Sequence, residues 1–205
     1  MADKRPSQGV TRRDLIRGAG LAASAGLVLG HSPVAHGDEG DTGAIPEQAA
    51  GKLQIQLDVN GAVRTLEVEP RTTLLEAVRG SLGLTGAKPV CDRSQCGACT
   101  IHMDGKTVYS CSVLAVEATG RKLVTVEGLG TPAAMHAVQS AFVQEDGMQC
   151  GFCTPGMVMS CAFAVAKHGK DLTVDQAKEA TVGNLCRCGT YPHVVNAALR
   201  AAKEA

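Results

Sequence analysis

The sequence reads Cys91-Asp-Arg-Ser-Gln-Cys96-Gly-Ala-Cys99 near its middle, and Cys111 follows after eleven intervening residues. Three cysteines separated by four and then two residues, with a fourth further along the chain, have the spacing of one class of 2Fe–2S site. Gly97 lacks a Cβ, so the backbone can curl closely around an inorganic core whose sulfurs need amide donors. The stretch therefore predicts a 2Fe–2S cluster held by four thiolates.

Three alternatives compete with this cluster. A zinc site usually pairs C-x2-C with a second C-x2-C or with H-x3-H, and three cysteines bunched in this way fit that pattern poorly. A disulfide knot would favour a shorter chain and an even cysteine count, whereas this chain has 205 residues and nine cysteines. A Rieske centre needs two histidine ligands, and only His102 lies near the stretch. We expect His102 to lie on the surface of a strand.

Composition limits the class of protein. The chain has no net charge, 44% hydrophobic residues and 2% aromatic residues. It therefore suits a soluble globular protein of one or two small domains, and a basic surface for nucleic acid is not expected. Small cores of aliphatic side chains often need a metal for stability, and the cysteines can supply its ligands.

The N-terminal segment 1–36 has the features of an export signal. Arg12 and Arg13 precede a weakly apolar run rich in glycine and alanine, from Gly18 to Gly30, which matches a twin-arginine signal. The alternative is an arginine-rich tail with an amphipathic helix. The run is too short and too weakly apolar to span a bilayer. We expect a periplasmic protein, exported folded with its clusters inserted, and a flexible spacer at 37–51.

Alternation of apolar and polar residues predicts a β-rich domain at 52–127. Its predicted elements are a hairpin, a helix, a second hairpin and a late strand, at Leu53–Val68, Leu74–Leu84, Thr100–Ser110 and Lys122–Val126. Asn60-Gly61 and Asp104-Gly105 supply the hairpin turns, and Thr72-Thr73 can cap the helix. The second hairpin delivers Cys111 to the other three cysteines. This ββαββ order with a late strand resembles the β-grasp fold of plant-type ferredoxins.

Beyond a linker predicted at 128–133, strand patterns give way to helical periodicity. Four helices are predicted, at Ala134–Glu145, Pro155–His168, Thr173–Thr181 and Tyr191–Lys203. Thr173 and Gln176 form a capping box at the start of the third. The predicted fold class is therefore α+β, a β-grasp domain followed by a small all-α helical bundle at 134–205.

A second cysteine set lies between these helices. Cys150 and Cys153 form C-x2-C, and Cys186 and Cys188 form C-x-C far downstream. Two such pairs on loops of a helical bundle can meet and hold a second 2Fe–2S cluster, although zinc would accept the same four sulfurs. Cys161 matches no ligand position and lies on an apolar helical stripe, where we expect it to act as a small hydrophobic core residue.

The two sets together resemble the iron-sulfur subunit of the xanthine dehydrogenase and molybdenum hydroxylase family. The resemblance extends from about Lys52 to the C-terminus and, with the twin-arginine leader, is nearest to the small subunits of periplasmic aldehyde oxidoreductases. Its motifs here are Cys91-Asp-Arg, Gln95-Cys-Gly-Ala-Cys-Thr100, Gln149-Cys-Gly-Phe-Cys-Thr-Pro-Gly156 and Gly183-Asn-Leu-Cys-Arg-Cys188. The chain departs from the family at Val90 and Ser94, where glycine is common, and at Gly189-Thr190-Tyr191, where many members have Thr-Gly-Tyr.

The resemblance implies particular roles for the cysteines. It assigns a ferredoxin-domain cluster to Cys91, Cys96, Cys99 and Cys111, and a helical-domain cluster to Cys150, Cys153, Cys186 and Cys188. It also implies that Gln149 and the Cys188 region touch the pterin of a molybdenum cofactor held by a large partner subunit.

The function implied is electron transfer. Substrate, an aldehyde or an N-heterocycle, would be oxidised at molybdenum, and electrons would pass through the helical-domain cluster and the ferredoxin-domain cluster to a flavin (FAD) subunit or a cytochrome. No glycine-rich phosphate motif or pair of catalytic carboxylates stands out in the sequence. The alternative is a stand-alone exported ferredoxin or redox-sensing module, against which the second cluster domain argues.

Overall fold

The computed structural model describes residues 51–204 of the chain. The predicted signal at 1–36 and nearly all of the predicted spacer lie outside the described residues. Within them, a five-stranded sheet comes first and a group of helices follows. This arrangement confirms the predicted α+β class and the order of its two parts.

The sheet is built from two hairpins and one late strand. Its strands are β1 (Leu53–Val59), β2 (Ala62–Val68), β3 (Thr100–Met103), β4 (Lys106–Tyr109) and β5 (Lys122–Val124). They lie in the order β2-β1-β5-β3-β4, and β5 runs parallel to β1 while both hairpins are antiparallel. The late strand therefore fills the centre of the sheet and joins the two hairpins, as a β-grasp fold requires.

The two hairpin turns form where the sequence predicts them. Asn60 and Gly61 both have positive φ, and so do Asp104 and Gly105. Two successive left-handed residues make the turn whose twist matches that of the flanking strands, and Asn-Gly or Asp-Gly adopts it at little cost. The second turn places the end of β4 two residues before Cys111, so the hairpin brings this distant cysteine back to the other three.

The helix of the first domain is shorter than predicted. Thr73 caps α1 (Leu74–Glu76) in a reciprocal capping box with Glu76, and the chain then continues as a single π-helical turn at Ala77–Ser81. The wider turn lets Leu74, Leu75 and Val78 all remain buried against the sheet. The apolar periodicity that predicts a longer α-helix is thus satisfied by a different winding.

Five α-helices follow the sheet in the described part of the chain. They are α2 (Val126–Leu129), α3 (Ala137–Gln144), α4 (Thr154–His168), α5 (Val174–Thr181) and α6 (Tyr191–Glu204). The last four match the predicted helices to within a few residues at each end. Thr173 and Gln176 form the predicted capping box at the start of α5. None of the helices within residues 51–204 is long and apolar enough to cross a bilayer.

Two separate hydrophobic cores stabilise the two parts. The first packs the sheet against α1 around Leu57, Ile101 and Leu123. The second joins α3, α4 and α6, and α6 contributes mainly alanines, at Ala197, Ala198, Ala201 and Ala202. Small side chains let helices approach closely, which compensates for the near absence of aromatic residues.

The chain passes from the first core to the second just after β5. Val126 and Leu129 of α2 pack against the helical core. The predicted linker at 128–133 begins inside this short helix and continues to a tight bridge between Thr131 and Ala134. Helix α4 also packs directly on β3 and β4, so the two parts share an extensive contact in addition to the covalent connection.

Candidate metal centres

The first cysteine set lies in the loop that leads into β3. Cys96 and Cys99 are buried, Cys91 is half-exposed, and Cys111 is buried in a 3-10 turn just after β4. Cys99 and Cys111 also belong to the core of the sheet domain. The loop and the hairpin together bring these four thiols to one side of the sheet.

The backbone of this loop presents amide groups to the sulfurs. The N–H groups of Arg93 and Gln95 donate to Cys91 Sγ at 3.4 and 3.3 Å. The N–H of Ser94 donates to Cys111 Sγ at 3.4 Å. Asp92 and Ser94 have positive φ on either side of Arg93, and such an alternation makes a concave nest of N–H groups that binds anions. The loop therefore fits a cluster whose thiolate sulfurs need hydrogen-bond donors.

The pKa values of these thiols are those expected of cysteines grouped around one site. Burial acts to raise the pKa of Cys91, but the amide hydrogen bonds from Arg93 and Gln95 outweigh it and lower the pKa to about 7. Burial, together with the neighbouring thiols of Cys111 and Cys96, raises the pKa of Cys99 to about 12. A thiol that resists ionisation in the apo-protein becomes a thiolate once a metal cation replaces its proton. Because Cys96 and Cys111 both affect the pKa of Cys99, Cys99 lies close to two of the other three cysteines.

The second cysteine set lies on two loops of the helical part. Cys150 and Cys153 lie between α3 and α4, and Cys186 and Cys188 lie between α5 and α6. Cys153 and Cys186 are half-buried, whereas Cys150 and Cys188 are exposed. This second site therefore opens to the protein surface more than the first.

Thiol interactions connect the two loops. Burial raises the pKa of Cys153 to about 12, and the adjacent thiols of Cys186 and Cys150 add to the rise. Burial acts to raise the pKa of Cys186. Hydrogen bonds from Thr190, whose hydroxyl lies 3.2 Å from Cys186 Sγ, help to outweigh burial and lower this pKa to about 7. A backbone hydrogen bond from Cys150 acts to lower the pKa of Cys188, but the neighbouring thiol of Cys150 outweighs it and the pKa is raised. The structure thus brings together the four cysteines that the sequence analysis grouped.

Two further features of the second site fit a sulfur-bridged cluster. Cys153 is the N-cap of α4, whose fifteen residues place the positive end of a helix dipole beside the thiols and favour thiolates. The hydroxyl of Thr154 is buried with no hydrogen-bond partner within the described residues. Because a buried hydroxyl is costly without a partner, a sulfur acceptor held next to Cys153 would complete its hydrogen bonding.

All nine cysteines are free thiols. Within residues 51–204, no three His, Cys, Asp or Glu side chains converge closely enough to ligate a single metal ion. A 2Fe–2S core is wider than one ion, since each of its two irons takes two of the four protein ligands.

A buried polar network joins the two cysteine loops directly. The side-chain amide of Asn184 donates to the carbonyl oxygen of Gly97 at 2.9 Å, and its own oxygen accepts from Ser160 at 2.7 Å. The backbone N–H of Leu185 donates to the carbonyl oxygen of Cys96 at 2.9 Å. Cys96 belongs to the first set and Leu185 precedes Cys186 of the second, so one hydrogen bond bridges the two sites.

The sequence alone does not predict a role for Asn184 or Ser160. Asn184 is 2% exposed and Ser160 is 3% exposed. A short amide two residues before a ligand cysteine, inside a glycine-bounded loop, is the one sequence signal that pointed to Asn184. Ser160 lies on an otherwise apolar helix, and its partner is 24 residues away, so local pattern carries no signal for it.

His102 does not lie on a free strand surface, contrary to the sequence prediction. Its Nε2 donates to the carbonyl oxygen of Met159 in α4 at 2.8 Å, and its ring stands edge-on to Phe163. Burial lowers the pKa of this imidazole. The prediction was wrong because the strand face that carries His102 is covered by a helix some 57 residues later in the chain.

Gln149 and Cys161 occupy contrasting positions. Gln149 is exposed next to exposed Cys150, and α3 ends five residues earlier at Gln144. Its amide is therefore presented at the open side of the second site. Cys161 is fully buried in the helical core, and burial raises the pKa of its thiol to about 12. The prediction that Cys161 is a hydrophobic core residue is confirmed.

Both parts of the chain match known sequence families. Residues 57–125 match the family described as a 2Fe-2S iron-sulfur cluster binding domain. Residues 125–199 match the family described as a 2Fe-2S binding domain. The cysteine sets fall one in each matched segment.

The descriptions of similar proteins agree with one another. The chain is 40% identical over 210 residues to the aldehyde oxidoreductase iron-sulfur-binding subunit PaoA of Escherichia coli strain K12, covering 95% of this chain and 89% of the relative. It is 38% identical over 148 residues to the xanthine dehydrogenase iron-sulfur-binding subunit of Escherichia coli O157:H7, covering 72% of this chain and 92% of the relative. Among solved structures, a chain of quinoline 2-oxidoreductase from Pseudomonas putida 86 superimposes with a TM-score of 0.66 at 37% identity, covering 75% of this chain and 97% of that one.

Proposed function

This chain belongs to the iron-sulfur subunits of the xanthine dehydrogenase and molybdenum hydroxylase family, and we propose that its eight paired cysteines carry electrons away from a molybdenum cofactor. It is a subunit of an oxidoreductase and has two 2Fe–2S binding domains. The substrate is an aldehyde or an N-heterocycle, and the molybdenum cofactor, held by a large partner subunit, supplies the oxidation chemistry.

Each cysteine set is proposed to hold one cluster. The ligands of the ferredoxin-domain cluster are Cys91, Cys96, Cys99 and Cys111, and those of the helical-domain cluster are Cys150, Cys153, Cys186 and Cys188. Amide donors in the first loop and the Thr190 hydroxyl at the second stabilise the thiolate charge. Burial of Cys96, Cys99 and Cys111 keeps water away from three of the four sulfurs in the first set.

The observation that carries this proposal is the direct bond between the two loops. The N–H of Leu185 donates to the carbonyl oxygen of Cys96. Leu185 precedes the ligand Cys186 of the second site, and Cys96 is a ligand of the first. Asn184 holds the loops in this register through Gly97. The chain thus keeps its two sites in fixed contact, as an internal electron route requires.

The exposure of the second site supports a direction of electron transfer. The second site opens to the surface among exposed apolar side chains, of which Phe152 is 59% and Leu185 is 58% exposed. Apolar exposure of this kind beside a redox site suits burial by a partner. We propose that the large subunit covers this face, that electrons enter here and continue to the first site, and that an FAD subunit or a cytochrome accepts them.

Native size-exclusion chromatography with identification of co-eluting chains tests the assembly. A complex much larger than the chain alone, containing a molybdenum subunit, is expected. Elution as a monomer with both clusters intact would instead support the stand-alone ferredoxin or redox-sensing module.

Export by the twin-arginine route is part of the proposal and rests on Arg12 and Arg13. Replacing both with lysine is expected to retain the protein in the cytoplasm while both clusters still assemble, because the leader is an address read by a receptor. Cell fractionation with an iron assay of each fraction measures both effects. Arg17→Lys, in the same leader but outside the pair, is the matched control. Normal periplasmic accumulation of the double variant would contradict this route.

Gln149 and the Cys188 region are proposed to contact the pterin at the open second site. An amide can offer both a donor and an acceptor to the edge of a heterocycle. Gln149→Leu should leave both clusters intact but slow their reduction by substrate, or weaken large-subunit binding about tenfold, because a buried polar partner left unpaired costs roughly 1–3 kcal/mol. Rapid mixing of the assembled complex with substrate, followed by cluster absorbance, measures the rate.

The matched control is Gln56→Leu, the same change on an exposed position of β1. It should alter neither the rate of cluster reduction nor subunit affinity. If Gln149→Leu behaves like this control, the pterin contact is wrong and Gln149 has no role beyond its loop.

A further inference from the structure

Ser94 has an unusual backbone conformation inside the first cysteine loop. Its φ is 55°, a left-handed value that strains any residue with a Cβ. Asp and Asn offset this cost more readily than Ser, since their side chains hydrogen-bond locally. Glycine would adopt the conformation without strain. A serine here retains a hydroxyl in the loop at the expense of some stability.

The hydroxyl of Ser94 lies near a ligand sulfur. Its Oγ is 3.8 Å from Cys111 Sγ, and its backbone N–H donates to the same sulfur at 3.4 Å. A thiolate can only accept hydrogen bonds, so the hydroxyl is the donor once Cys111 is ionised. Other serine hydroxyls nearby point elsewhere: that of Ser110 donates to the Cys99 carbonyl and that of Ser112 to the Tyr109 carbonyl.

We propose that Ser94 is a positioning residue whose hydroxyl donates to the Cys111 thiolate and thereby raises the reduction potential of the ferredoxin-domain cluster. This inference rests on the proposed ligand assignment. Reduction adds one electron to the cluster and breaks no bond, so the reduced state carries one more negative charge. A donor to a ligand sulfur stabilises that more negative state more than the oxidised one.

The consequence is directional. A higher potential at the first site favours electron transfer from the exposed second site toward it. The left-handed conformation has a role in this arrangement, because it presents the N–H and the hydroxyl of one residue to the same sulfur. Strain of this kind persists where the surrounding structure holds it in place.

The test is a potentiometric titration of the purified full chain, monitored by electron spin resonance. Ser94→Ala removes the hydroxyl but keeps the Cβ and the strained φ, whereas Ser94→Gly removes the hydroxyl and the strain. Both should lower the reduced-to-oxidised ratio of the first cluster by about threefold to tenfold at a fixed potential, where tenfold corresponds to about 59 mV for a one-electron couple. The second cluster's signal serves as an internal control, and Ser112→Ala is the external one.

Thermal unfolding separates strain from hydrogen bonding. Ser94→Gly should unfold at a higher temperature than Ser94→Ala, while the first cluster has the same reduction potential in both variants. An unchanged potential in both variants, or a shift in the glycine variant alone, overturns the proposal. Failure of the ligand assignment is distinguishable, because it would appear in the unsubstituted chain as a missing cluster signal or a low iron content.

Discussion

Replacing Cys186 with alanine is expected to remove the helical-domain cluster and about half of the iron. The unsubstituted chain should contain about four irons, two in each cluster, and the variant about two. Cys99→Ala should likewise remove the ferredoxin-domain cluster and leave the other intact. Iron assay with electron spin resonance of the reduced protein measures both quantities, since the two clusters give separate signals.

The two variants should differ in their effect on folding. Binding of a metal by thiolates stabilises the folded state, so loss of a cluster destabilises its domain. Cys99 is 3% exposed and belongs to the core of the sheet domain, so its replacement also leaves a cavity there. Cys186 is half-exposed on a loop. The sheet domain of Cys99→Ala should therefore unfold more readily than the helical domain of Cys186→Ala.

Cys161→Ala is the matched control for these replacements. Its thiol is fully buried in the helical core and matches no ligand position, so iron content and both spin signals should be unchanged. A modest loss of stability, on the order of 1 kcal/mol, is expected from the small cavity. Loss of iron in this variant, or one spin signal where the unsubstituted protein should give two, would contradict the ligand assignment.

Local chemistry explains why much of this fold could be predicted from sequence. Asn60-Gly61 and Asp104-Gly105 favour one turn type strongly, and alternation on either side sets the strand register. The cysteine spacings indicate a cluster because several of its ligands lie within a few residues of one another in the sequence. Helices α3 to α6 each have an apolar stripe long enough to be recognised.

Contacts between distant segments could not be predicted in this way. The Asn184 to Gly97 bond joins residues 87 positions apart, and the His102 to Met159 bond joins residues 57 apart. Neither pair has a periodic signature, because each depends on how α4 lies on the sheet. The π-helical turn at Ala77–Ser81 also arises from packing, since its apolar pattern equally suits an α-helix.

Glycines determine how closely the two cysteine loops approach. A Cβ at Gly156, in the first turn of α4, would overlap the carbonyl oxygen of Gly97 and lie 3.2 Å from Ala98 Cα. A Cβ at Gly97 would lie 2.5 Å from the Gly183 carbonyl oxygen. Backbone atoms cannot give way as flexible side chains can, so these positions require the absence of a side chain. The separation of the two sites is therefore sensitive to a single methyl group.

Gly156→Ala is accordingly expected to destabilise the protein, although alanine is the better helix former. Propensity alone would stabilise a helix interior by about 1 kcal/mol. The overlap with Gly97 forces the loops apart, and overpacking of this kind costs typically about 1–3 kcal/mol. It should also break the Asn184 to Gly97 bond and leave a buried amide unpaired. The net result should be lower stability and slower transfer between two clusters that both still assemble.

Gly80→Ala is the control that isolates the overlap from the propensity. Gly80 is an exposed residue of the π-helical turn, and a Cβ there would meet nothing within 4 Å. This variant should be as stable as the unsubstituted protein or slightly more stable. Magnetic coupling between the two reduced clusters, read from electron spin resonance, reports their separation without any need for enzyme activity, and it should weaken in Gly156→Ala alone. Undiminished coupling and stability in Gly156→Ala would mean that the loops can yield without moving the sites, and that glycine at this position does not determine the distance between the clusters.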